Sequence, residues 1–138
     1  MRSSVLEQNS SKFWQERPTV ISDALSTANT NADGVIPMVS IPLGAYVTKV
    51  QVLATVAVAN QEFNIGDGDN DDRYFDGITA ITQYNSLTAP NTTSTAATEE
   101  VSGRYYAAAD TIDFVSTITA SADTAAGSIK LLVWYFVL

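Results

Sequence analysis

The chain contains no cysteine and no histidine. The first absence excludes a disulfide framework and leaves the redox compartment undiagnosed. The second removes the commonest general base, the Ser-His-Asp arrangement and the usual zinc ligands, which together weigh against catalysis. Charge is also scarce, at 16% of residues, so much of the surface must be Thr, Ser, Asn, Ala and Gln. Such a surface suits extensive protein contact because little charge has to be desolvated, although a secreted-type β-domain would share the bias. Basic residues are scarcest: seven Lys and Arg face fifteen acids, for a net charge of -8. Lys12, Arg17, Lys49, Arg73, Arg104 and Lys130 are scattered singly, whereas a nucleic-acid binder needs a basic stripe. No nucleic-acid partner is expected.

Long apolar runs are missing too. The strongest candidate, Ile129 to Leu138, is ten residues long and contains Lys130, far short of the ~20 residues of a membrane helix. No membrane partner is expected. The N-terminal residues lack the apolar core of a signal peptide, so the Asn-x-Ser/Thr matches at Asn9 and Asn91 read as coincidences in a polar chain.

What is present points to strands. A chain of 138 residues with 46% apolar content supports a single domain around one core. Residues 1–17 show neither a strand nor a helix period, and Phe13 and Trp14 are their main apolar anchors. They read as an extended arm or a short helix outside the main fold, with a disordered tail as the alternative. A β-domain over 18–138 follows. Pro18 to Ser26 opens a first strand. Asp33-Gly34 marks a turn, and Val35 to Ile41 is a strand that Pro37 confines to an edge or a bulge. Tyr46 to Ala59 alternates most clearly, with Val50, Val52, Ala54, Val56 and Val58 on one face. Glu62 to Ile65, Ile78 to Gln83, Ser102 to Ala108 and Thr111 to Ala120 are further strands, and Asn85 to Glu100 reads as a long loop. Seven to eight strands without a helical period predict an all-β fold, a two-sheet antiparallel sandwich of jelly-roll type.

The last strand, Gly127 to Leu138, is apolar on both faces: Ile129, Leu131, Val133, Tyr135 and Val137 on one, Leu132, Trp134, Phe136 and Leu138 on the other. A strand of this kind must be covered on both sides, and a two-layer sandwich covers only one. Either the N-terminal arm or another subunit must supply the second cover. Phe13, Trp14, Trp134 and Phe136 are therefore the candidate contact residues, with Thr92 to Thr98 of the long loop as secondary ones.

One cluster invites a chemical reading. Gly66 to Gly77 contains Asp67, Asp69, Asp71 and Asp72, and alternate carboxylates are what Ca²⁺ loops use. Full EF-hand spacing fails, since Asp72 stands where glycine is needed and Ile78 where glutamate is needed. A solvated turn is the first reading, and Ca²⁺ held by Asp67, Asp69 and Asp71 the alternative. Nothing marks one carboxylate of this loop, or of Glu99-Glu100, for glycosidase work. In Tyr105-Tyr106 and Trp134-Tyr135 neighbouring side chains leave a strand on opposite faces, so at most one of each pair can meet solvent. Core or interface packing is favoured over sugar stacking.

The segments Ile41 to Val52, Phe63 to Gly77 and Ala125 to Tyr135 resemble the corresponding stretches of small tailed-phage virion proteins. Over roughly residues 41–138, the chain looks like a capsid cement (decoration) protein with a jelly-roll fold. The resemblance implies a non-enzymatic protein on the outer surface of the virion. It would bridge neighbouring major capsid proteins and act as a homodimer or homotrimer. A head-fibre, tail or carbohydrate-binding β-module is the alternative.

Overall fold

The computed structural model describes residues 17–27, 34–59, 61–89, 103–117 and 127–138. Phe13, Trp14 and Thr92 to Thr98 lie outside them. The described residues form ten strands and no helix: β1 (Val20–Ile21), β2 (Leu25–Ser26), β3 (Val35–Ile41), β4 (Ala45–Val56), β5 (Phe63–Asp67), β6 (Phe75–Ile78), β7 (Ser86–Ala89), β8 (Arg104–Tyr105), β9 (Asp110–Ser116) and β10 (Ser128–Val137). Every pairing is antiparallel. Sheet A has the order β1-β10-β4-β7, with β2 also on β10 and β8 also on β4; sheet B has the order β3-β9-β5-β6.

The pairs are nested. The tight β5–β6 pair lies innermost in the chain, β4–β7 and β3–β9 enclose it, and β1 and β2 on β10 close the outside. Two further pairings, β4 with β10 and β5 with β9, roll that long hairpin into two facing sheets. This is the eight-strand double Greek key of a jelly roll, with the first strand split in two and β8 added. The split comes at Ser22. Its backbone N–H still reaches the Leu131 carbonyl, and its hydroxyl accepts the Leu131 N–H. A side chain thus stands in for a ladder carbonyl, and the expected single strand becomes β1 and β2.

The core lies between the sheets. Val47, Val50, Val52 and Ala54 of β4 and Ile129, Leu131 and Val133 of β10 face Phe63, Ile65, Ile112 and Phe114 of sheet B, all essentially without exposure. Phe63 and Phe114 stack at 4.8 Å between centroids. β3 runs over the expected span and lies at the sheet edge. It shifts register between Pro37 and Val39, which is how a strand accommodates a residue without an N–H.

Three expected assignments are corrected. The long loop begins with a strand, because Ser86–Ala89 pairs with Leu53–Val50 of β4. Polar Ser and Thr suffice there, since this edge strand buries only one face. The strand expected over Ile78 to Gln83 is shifted: β6 ends at Ile78, and only Ile81 makes a bridge, to Val58. The core face expected for β4 fails at Val56, which is 47% exposed. The cause is a pair of bulges. Opposite β10, Thr48 and Thr55 are extra residues in β4, at register shifts between Trp134 and Tyr135 and between Ser128 and Ile129. Each extra residue swaps the inward and outward sets beyond it. Ala45 and Val47 therefore share the core face with Val50, Val52 and Ala54, while Val56 turns out. Both threonines donate their hydroxyls to β10, Thr48 to the Trp134 carbonyl and Thr55 to the Ser128 carbonyl, each at 3.2 Å.

Candidate assembly interface

The bulge at Thr48 also shapes the outer face of sheet A. It puts Tyr46 and Lys49 on the same side, and Phe136 pairs with Tyr46, which pairs with Tyr105. Directly opposed residues share a face, so three aromatic rings from β10, β4 and β8 form a row across the end of the sheet. Tyr46 and Phe136 lie 5.4 Å apart, tilted by 31°. Phe136 is 50% exposed. In the next row, Lys49 holds its ammonium 4.1 Å from the centre of the Trp134 ring, a cation–π contact. Beyond it, Ile21, Leu132, Gln51 and Thr88 form a further cross-strand row. At the end of the sheet Leu43 and Leu138 are also exposed, as is Val137, which pairs with core-facing Ala45 and so leaves β10 on the side opposite Phe136. The Leu138 N–H is fixed to the Gly44 carbonyl, so the final residue is tied in place.

Of the expected contact residues, Trp134 and Phe136 come together on this face. Phe13 and Trp14 lie outside the described residues, and no third layer of described residues covers sheet A. Tyr46, Tyr105 and Lys49 complete the surface; the sequence marks Tyr105 as a core or interface aromatic but does not single out Tyr46 or Lys49 as contacts. The opposite-face argument does separate Tyr105 from its neighbour: Tyr105 is half-exposed and Tyr106 is buried.

Behind the aromatic row is a buried polar network that fixes the acidic turn. Asp67 ends β5 with its side chain fully enclosed. Its Oδ1 accepts the N–H groups of Asp69 and Asn70, and its Oδ2 accepts Arg73 Nε and the Tyr106 hydroxyl. Because Tyr106 gives its proton to Asp67, the Tyr74 hydroxyl, 2.6 Å away, must donate to Tyr106. Burial, then Tyr74 and Asp67, push the Tyr106 phenol far above its usual value, so it stays a donor at any ordinary pH. The turn lies directly on Gly66, where any Cβ would collide with the backbone of Asn70 and Asp71. Tyr106 itself exchanges backbone bonds with Gly44 and Ala45, so the network connects the acidic turn of sheet B to the start of β4.

Asp67, Asp69 and Asp71, the ligands of the alternative Ca²⁺ reading, share this turn. The Asp67 carboxylate is occupied as described, and the Asp69 side chain is 77% exposed, with Arg104 at 3.8 Å. Among the described residues no three acidic groups gather as an ion would require. Asp113 on β9 is a separate case that the sequence did not flag. It is buried, its Oδ1 has no hydrogen-bond partner, and burial raises its carboxyl above the usual value despite help from the Thr111 hydroxyl.

No protein-family model matches the chain, and no curated protein matches it. Two solved structures contain similar chains. One is the cyanophage Pam1 capsid asymmetric unit, where 19% identity over 86% of this chain and 84% of the other gives a TM-score of 0.62. The second is the acidic stable capsid structure of Helicobacter pylori bacteriophage KHP30, with 14% identity over 86% and 90% and a TM-score of 0.50. At these identities the likeness is one of fold: the chain has an antiparallel β-sandwich of a kind found in two phage capsid structures.

Proposed function

We propose that this chain is a structural, non-enzymatic protein of a phage virion, a cement protein on the outer capsid surface that bridges neighbouring major capsid proteins. One observation carries this reading: a jelly-roll sandwich of the kind present in two phage capsid structures leaves a row of aromatic side chains uncovered on sheet A. Exposed apolar surface of this kind marks a protein contact, and aromatic anchors are enriched at interface centres. Copies associate through that face, and the arm, through Phe13 and Trp14, adds attachment to the lattice. Individually weak contacts are then multiplied by capsid symmetry.

The test is co-sedimentation of purified protein with heads of the phage that encodes it. Binding of the full chain, reduced by deletion of residues 1–17 and by Phe136→Ser, is the expected result. Absence of binding by the full chain overturns the cement reading, and equal binding by the truncated chain overturns the role of the arm. Adding Ca²⁺ or EDTA during thermal melts tests the acidic turn separately. A rise in Tm with Ca²⁺ that is lost in Asp69→Asn and Asp71→Asn would assign it a metal.

A further inference from the structure

Charge is divided between the two sheets. The six strands of sheet A contain Lys49, Arg104 and Lys130 and no acid; the four strands of sheet B contain Asp67, Asp76, Asp110 and Asp113 and no base. The segments flanking sheet B add Glu62, Asp69, Asp71 and Asp72, and the single base among them, Arg73, is committed to Asp67. Thus, among the described residues, Lys49, Arg104 and Lys130 lie on the sheet that carries the exposed aromatic row, while the acids lie on the other sheet and its turn, apart from Asp23 between β1 and β2 at the edge of sheet A.

We propose that the outer face of sheet A of one copy receives the acidic β5–β6 turn of a second copy, with Lys49 and Lys130 meeting Asp69, Asp71 and Asp72. Two features favour this partner. First, pairing sheet A with itself across a two-fold axis would bring together two sets of strands that carry Lys49 and Lys130 and no acid, with Asp23 at the β1–β2 edge the one described acid beside them, and like charges facing each other are penalised. Second, the complementary surface exists on the same chain and is held rigidly: the buried Asp67–Arg73–Tyr106 network fixes the turn, while Asp69 and Asp71 remain exposed. Within one copy, Arg104 of sheet A already approaches Asp69 at 3.8 Å, so the turn accepts a sheet A cation. The two surfaces are different patches, which makes the contact heterologous. Such contacts build rings or open arrays rather than two-fold dimers.

This inference rests on the reading of sheet A as an assembly surface, but its test is independent of phage heads. In sedimentation velocity at micromolar concentration and about 50 mM NaCl, the full chain should form trimers or larger species that dissociate towards monomer at about 500 mM, where exposed charges are screened. Lys49→Glu/Lys130→Glu should be monomeric, and so should Asp69→Lys/Asp71→Lys, with circular dichroism confirming the fold of each. Combining all four substitutions exchanges the two charges and should restore the oligomer. A monomeric full chain up to about 100 µM overturns the inference, as does a lysine reversal that leaves the oligomer intact, a two-fold dimer, or a four-fold variant that stays monomeric. Oligomers that behave as expected in a protein that ignores heads would leave this inference standing and remove the cement reading.

Discussion

Replacing Arg73 by Met tests the buried network most directly. The Arg73 and Asp67 side chains are 7% and 0% exposed, so solvent screens the pair little. Truncating one partner of such a pair strands the other charge and typically costs about 3–5 kcal/mol. Unfolding entropy near the midpoint is about 2.1 cal/mol/K per residue, or about 0.29 kcal/mol/K for 138 residues. The expected loss in Tm is therefore about 10–17 °C. The result becomes diagnostic with the partner substitution. Asp67→Asn/Arg73→Met keeps an Oδ1 acceptor for the Asp69 and Asn70 amides and removes both charges. The double variant should then be no less stable than the worse single one, giving a coupling energy of about 2 kcal/mol or more. Urea melts of the four proteins provide the cycle. An Arg73→Met loss below about 1 kcal/mol, or strictly additive losses, would show that the turn is held by its backbone bonds and the packing on Gly66 rather than by the ion pair.

Two further outcomes are expected. Asp113→Asn should stabilise the protein at pH 7 by about 1–2 kcal/mol, since a buried carboxylate with one oxygen unpartnered is replaced by a neutral group. Burial raises the Asp113 carboxyl above 3.8, so the folded state holds this proton more tightly than the unfolded one. Stability of the parent should fall as pH rises from about 4 through the folded value, and the advantage of Asn should shrink at pH 4; a gain independent of pH would refute the assignment. Separately, Phe114→Ala should cost about 3–5 kcal/mol, whereas Phe136→Ala should cost about 1 kcal/mol or less in the isolated chain. Equal losses in denaturant melts would place Phe136 in the core and not on an assembly surface.

Fold class was legible in the sequence because it depends on local signals. Alternation in Val50–Ala54 and Pro37 in β3 each act within a few residues, and each has its counterpart in the structure; the turn at Asp33-Gly34 falls partly outside the described residues. What sequence could not reveal depends on register. Val56 belongs to the core by alternation and turns to solvent only because Thr55 is extra against β10. Likewise Tyr46, Tyr105 and Phe136 become a row only once three strands from distant parts of the chain are aligned. Ser86–Ala89 gives only a short apolar signal, Leu87 and Ala89 alternating with Ser86 and Thr88, and it becomes a strand by pairing with distant β4. The acidic turn was visible as composition, yet its organising contact comes from Tyr106, 39 residues away from Asp67.

The two threonine bulges of β4 have a further consequence. They lie seven residues apart, each with its hydroxyl on a β10 carbonyl, so the longest pairing in the molecule is aligned at two points, like a key with two notches. Moving β4 by one residue along β10 would miss both at once and turn the aromatic row inward. The aromatic face and the fold therefore share one alignment. A chain that pairs these strands wrongly would lose the exposed aromatic row along with the core, so a misregistered copy would present neither the proposed contact surface nor a stable sandwich.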